Sequence, residues 1–119
     1  MLIDDPQFLT SLSDFEIELL ALEYLELRVL AKLSSGETPG PESSLLKIKG
    51  TEIQQSLQEL RMQTIGAYSG SLHLDDFESD LHRRGSNSRR AYMYGRAATI
   101  YGGSNEVQRN VIAKAVLGL

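Results

Sequence analysis

Residues 98–119 read ATIYGGSNEVQRNVIAKAVLGL. The Gly102–Gly103 pair marks a tight reversal, because glycine takes positive φ without steric penalty. Ser104 has the chemistry of an N-cap. The spacing then predicts a helix over Asn105–Leu117, with Val107, Val111, Ile112, Ala115 and Val116 facing inward and Gly118 closing it. A glycine turn that feeds a capped helix leaves its first amides unsatisfied, with the positive end of the dipole behind them. That arrangement suits a phosphate or another anion. Taken alone, such a turn more often punctuates a fold than binds a ligand.

Working upstream, a short helix is predicted over Ser88–Ala98. Residues 67–87 are rich in Gly, Ser, Asp and Arg and read as a long loop, with Leu72, Leu74 and Phe77 as its anchors. A longer helix is predicted over Glu42–Ile65, with Leu46, Ile53, Leu57 and Leu60 as its stripe and Gly66 as its stop. Gly50 lies inside it at a cost of about 1 kcal/mol relative to Ala, which is expected to be offset by close packing. Pro41 suits a first helical turn, and Gly36–Pro41 is a loop. The first helix is predicted over Asp14–Leu33, and Ser13 and Glu16 have the spacing of a capping box. Phe15, Leu19, Leu22, Val29 and Leu33 form one stripe; Ile17, Leu20, Tyr24, Leu27 and Ala31 form a second. Two stripes predict a helix inside a bundle. Ser34, Ser35 and Gly36 end it. With no strand alternation and no internal repeat, the expectation is an all-α fold: one domain over residues 1–119, an antiparallel helical bundle of about four helices.

The 16 acidic and 12 basic side chains leave a net charge of −4, without the footprint of a nucleic-acid binder. The charge is uneven: residues 1–60 are net −7 and residues 61–119 net +3. Arg83, Arg84, Arg89, Arg90 and Arg96 form the most basic stretch, either a solvated helix face or a site for an anion such as a phosphate-bearing ligand or an acidic neighbour chain. The absence of cysteine excludes thiolate catalysis and Cys-ligated zinc, and His73 and His82 are too few for a His-rich metal site, so no metal is expected. No apolar run is long enough to span a membrane, and MLIDDPQF lacks the basic start of a signal peptide. A soluble, cytoplasmic domain is expected.

The terminal segment resembles the C-terminal signature of the acyl-CoA dehydrogenase family, whose members commonly end in a run like IYGGTNEIQRNIIAERVLGL. This chain has IYGGSNEVQRNVIAKAVLGL. Gly40-Pro41-Glu42-Ser43-Ser44-Leu45-Leu46-Lys47 resembles the segment before the family's penultimate long helix. Gln63-Thr64-Ile65-Gly66 resembles its Gln-x-x-Gly motif, and Tyr94-Gly95-Arg96-Ala97-Ala98 its approach to the final turn. Together these cover most of residues 13–119. The resemblance implies a flavoprotein that removes hydrogens from the α and β carbons of an acyl-CoA thioester and passes the hydride to FAD. Family members have an N-terminal helical domain, a middle β-domain and a C-terminal bundle. This chain is similar to the last alone, without an evident first bundle helix, so a fragment or truncated product is expected.

The same resemblance carries over to particular residues. Many members place the base that takes the α-proton directly after the Ile-Tyr pair, a position held here by Gly102, which cannot abstract a proton. Others keep that carboxylate on the first bundle helix, and some are partner subunits without catalysis. No catalytic residue is therefore expected in this chain. Gly103 matches a position near the thioester substrate. Ser104, Asn105 and Glu106 match residues near FAD, although an acid at Glu106 also serves the helix dipole. Gln63, Gly66 and Ala67 match a segment that contacts the FAD of a neighbouring subunit. For Arg109 a structural ion pair or subunit contact is expected.

Two functions follow. One is the C-terminal domain of an FAD-dependent acyl-CoA dehydrogenase, contributing to the FAD and substrate site and to a homo-oligomer, dimer or tetramer, and inactive alone. The alternative is a non-catalytic module that oligomerises, or pairs with a catalytic subunit.

Overall fold

Pro6 sets the start of the first helix, α1 (Pro6–Ser34). Its ring supplies helical φ and lacks an amide that the first turn would leave unpaired. Asp5 caps the same end, accepting from the Gln7 N–H at 2.9 Å. The helix thus begins well before the expected Asp14, and Ser13 and Glu16 sit inside it. The Asp-Pro start signal lies upstream of them, and nothing from Gln7 to Ser13 breaks a helix. A computed structural model of the chain describes residues 2–70 and 79–118.

Gly36, at φ 84°, lets the chain leave α1 as expected. The second helix, α2 (Glu42–Ile65), has its expected bounds. An ion pair from Lys32 to Glu42 ties the end of α1 to the start of α2. It also holds the Glu42 carboxyl below its usual range, the Lys32 hydrogen bond being the main cause. Further along, Lys49 Nζ meets Glu18 Oε2 at 3.3 Å. Gly66 ends α2 at φ 59°, and Gly66–Gly70 continue as a 3₁₀ turn.

The third helix, α3 (Asp80–Gly95), departs from expectation: it starts at Asp80, not Ser88, and stops before Ala98. Ser79 caps it by accepting from the His82 N–H. Asp80 in its first turn pairs with both Arg83 and Arg84. Residues 80–87 of the expected loop are therefore helix, stabilised by the i,i+3 and i,i+4 charge spacing of its own residues. Leu72, Leu74, Phe77 and His73 lie outside the described residues. Arg96–Thr99 form a 3₁₀ turn, and the last helix, α4 (Asn105–Leu117), has its expected bounds. The fold is all-α, with no strand among the described residues.

α2 packs against α1, α3 and α4. Among the described residues, the buried apolar side chains are Ile48, Ile53 and Leu60 on α2, together with Ala98. Close approach is made by glycines on α3: a Cβ at Gly85 would meet the Tyr68 carbonyl, and one at Gly95 the Gln58 carboxamide. Gly50 does not do this, since a Cβ there would meet nothing within 4 Å. The inward face of α4 is Asn105, Gln108 and Ile112, whereas Val107, Val111 and Val116 are exposed, contrary to the expected face. The cap at Ser104 and the burial of Asn105 set the rotation of that helix. On α1, Phe15, Leu22 and Val29 of the first stripe are half-buried together with Leu25, whereas Leu19 and Leu33 of that stripe are exposed, as are Ile17, Leu20, Tyr24 and Leu27 of the second.

Candidate functional site at the start of the last helix

The turn before α4 is built by its glycines. Ile100 and Tyr101 donate their amides to the Ala97 carbonyl at 2.9 and 3.0 Å. Gly102 and Gly103 then take φ of 67° and 89°, a region that costs an L-residue about 1–2 kcal/mol. Ser104 returns the chain to extended backbone, and its Oγ accepts from the Val107 N–H at 3.3 Å. Gln108 Nε2 donates to the Gly102 carbonyl at 3.3 Å and closes the turn from the helix side. Gly102 is exposed, and a Cβ there would meet nothing within 4 Å. At Gly103 a Cβ would come within 2.6 Å of Gln108 Nε2. The backbone is thus open toward solvent at Gly102 and braced from behind at Gly103.

Glu106 lies on the exposed side of the first turn. Its carboxyl is held below the usual glutamate range, first by its own backbone N–H and then by the Ser104 hydroxyl. Asn105 points the other way. It is 4% exposed, and its Oδ1 accepts from Lys47 Nζ at 2.9 Å and from Thr51 Oγ1 at 3.4 Å. The carboxamide therefore anchors α4 to α2. Arg109 makes an ion pair with Glu52 at 3.0 Å, the structural role expected for it. Lys47 and Thr51 were not singled out from the sequence. Their partner is more than fifty residues away, and no local spacing signals such a contact.

The second group of candidate residues sits at the far end of α2. Gln63 is exposed beside a groove of about 300 Å³ between α1 and α2, which Ser11, Phe15, Ile53 and Leu60 also line. Gly66 and Ala67 are exposed where α2 ends. Thr51, which touches Asn105, is twelve residues before Gln63, about 18 Å along a helix that rises 1.5 Å per residue. One chain therefore does not bring Gln63, Gly66 and Ala67 to the Gly102–Glu106 turn. Among the described residues, no group of three His, Cys, Asp or Glu side chains could hold a metal, and no helix is long and apolar enough to cross a membrane.

The family described as acyl-CoA dehydrogenase, C-terminal domain, matches residues 1–117. Among curated proteins, the chain is similar to the acyl-CoA dehydrogenase IpdE1 of Mycobacterium tuberculosis, with 41% identity over 83 residues. It is 37% identical over the same length to IpdE1 of Mycolicibacterium smegmatis. Each match covers 70% of this chain and 19% of the relative, so the chain spans about a fifth of the length of these proteins. No solved structure matches it.

Proposed function

The chain belongs to the acyl-CoA dehydrogenase family, matching its C-terminal domain, and from that premise we propose that it is the helical part of an FAD-dependent enzyme acting on acyl-CoA thioesters. In that enzyme FAD, when bound, takes up the hydride that leaves the β carbon. The observation that carries the reading is the Gly102–Gly103 turn, whose two positive φ angles leave backbone without side chains beside a helix start. Such a turn fits an electron-rich ligand: its amides donate, the dipole favours negative charge, and at Gly102 no side chain stands between ligand and backbone. Gly103 faces the thioester, and Ser104 and Glu106 border the flavin. Asn105 supports the turn from inside by holding Lys47 and Thr51. Gln63, Gly66 and Ala67 serve the flavin site of a neighbouring copy, which agrees with their separation of about 18 Å from the turn along α2. The functional unit is thus a homo-oligomer, dimer or tetramer, in a cytoplasmic setting.

The isolated chain is inactive in this reading, because Gly102 offers no carboxylate to take the α-proton. Full chain mixed with FAD and an acyl-CoA is expected to leave an artificial electron acceptor oxidised, and turnover would overturn that part. Titration with FAD alone, followed through backbone amides, is expected to move residues 102–106 before others. Shifts confined to other parts of the chain would overturn the ligand-binding role of the turn.

A second reading is favoured by the exposed Ile17, Leu20, Tyr24 and Leu27 on α1. In it the chain is a non-catalytic module that pairs with a catalytic subunit. FAD-dependent shifts at residues 102–106 of the pure chain support the first reading. A stable monomer that assembles only with a dehydrogenase subunit supports the second.

A further inference from the structure

The dehydrogenase reading makes no use of the arginine-rich start of α3. A pocket of about 300 Å³ lies there, lined by Arg61, Thr64 and Ile65 of α2 and by Arg84, Asn87 and Ser88 of α3. Each set is spaced i, i+3, i+4, so each occupies one face of its helix. Each face brings one guanidinium and small polar groups to the same space. No carboxylate lines the pocket among the described residues. Asp80, which pairs with Arg84, is shared with Arg83, and Arg61 has no ion pair among the described residues. Arg61 and Arg84 thus bring two guanidinium groups to one pocket, and among the described residues Asp80 is the acid that pairs with either of them.

Ser88 supplies an independent observation. It is 2% exposed, and its Oγ is buried without a hydrogen-bond partner. A helical serine or threonine ordinarily donates to the carbonyl four residues back, as Thr51 and Thr64 do on α2. The Ser88 hydroxyl is left over in a residue that lines a pocket with two arginines.

We propose that this pocket binds a phosphate-class oxyanion, either free phosphate or the phosphate of a monoester. Arg61 and Arg84 provide the forked donors that match phosphate oxygens, and the Asn87 carboxamide and Ser88 hydroxyl complete the shell. Two forked guanidinium groups match the several oxygens of a phosphate better than a single carboxylate. The site is independent of the Gly102–Glu106 turn and does not rest on the dehydrogenase reading.

The test uses the full chain at constant ionic strength. Inorganic phosphate, followed by amide and side-chain resonances, is expected to give saturable shifts centred on Asn87 and Ser88. Arg61→Gln is expected to weaken binding about tenfold, with Arg61→Lys recovering part of the loss because it keeps the charge and loses the fork. Arg90→Gln makes the same charge change on α3 outside the pocket and is expected to leave binding within about twofold, since a solvent-exposed charge at a distance is screened. Ser88→Ala removes only the unpaired hydroxyl, keeps the fold, and is expected to weaken binding about threefold. Glycerol phosphate binding more tightly than inorganic phosphate identifies a monoester as the ligand, and the reverse order identifies free phosphate; either supports the site. Equal losses in Arg61→Gln and Arg90→Gln would show unspecific charge attraction and overturn it. So would the absence of saturable shifts, or shifts centred away from Asn87 and Ser88.

Discussion

α1 and α2 are both long helices, yet they are held in different ways. α2 buries Ser44, Ile48, Ile53 and Leu60 and packs on the other three helices, whereas α1 has no buried residue along its length. The α1 face that touches α2 is half-buried, and its other apolar face, Ile17 to Leu27, is open. Around α2 the fit depends on small and polar groups. Gly85 and Gly95 admit close neighbours, and Asn105 ties α4 to Lys47 and Thr51. The contrast teaches that the residues the chain buries are gathered at the α2–α3–α4 junction and none on α1. α1 carries apolar surface that needs a cover from outside that junction.

The harshest way to break the contrast is to fill a contact on the α3 side. Gly85→Ala sets a methyl against the Tyr68 carbonyl and is expected to cost about 2–3 kcal/mol through overpacking against rigid backbone. Gly50→Ala, with open space around it, is expected to stabilise by about 0.5–1 kcal/mol from helix propensity. Urea denaturation of the two variants measures this opposition, and similar losses at both sites would refute it.

Next in size is the tie between α4 and α2. Asn105→Ala leaves the Lys47 ammonium without its carboxamide partner and is expected to cost about 2 kcal/mol. Protection of the α4 amides in hydrogen exchange should fall more than that of α1. A uniform loss would show that the two regions are not separable.

A smaller effect is expected from Ser104→Ala, about 1 kcal/mol for a lost N-cap. pH sharpens this variant. The Glu106 carboxyl is held below its usual range by its own amide and by the Ser104 hydroxyl. A depressed folded-state value adds stability above the ordinary glutamate range, and that stability is lost as pH falls through the folded value. The melting difference between wild type and Ser104→Ala should therefore shrink in acid. A difference that is constant with pH would remove the coupling.

The smallest effect on folding is expected on α1. Leu20→Gln and Tyr24→Gln change exposed side chains, so stability should move by no more than about 0.5 kcal/mol. Self-association, read by sedimentation, should decrease. Destabilisation comparable to that of Asn105→Ala would mean that the open face is covered within the chain.

Much of the fold was legible because it is local. The bounds of α2 and α4, the Gly66 and Gly118 stops and the Ser104 cap all follow from residues within one turn of each other. The start of α3 at Asp80 was also local in its chemistry, through Ser79 and the Asp80 pairs with Arg83 and Arg84. It was hidden by a composition that reads as loop. In the candidate site, the glycine turn and its cap were readable, but the inward turn of Asn105 was not.

By itself the sequence determined that there are four helices, the Ser104 cap and the Gly102–Glu106 turn, since hydrogen bonds between near neighbours and glycine φ need no distant partner. Only the tertiary structure decided which faces those helices bury. Val107 and Val111 point outward because Asn105 finds Lys47 and Thr51 across the chain, and the second stripe of α1 is open because no described element packs on it. Tertiary structure also brought Arg61 and Ser88 to one pocket. Periodicity marks a face as apolar or polar. What that face meets is settled by contacts between residues far apart in the chain, which no local pattern encodes.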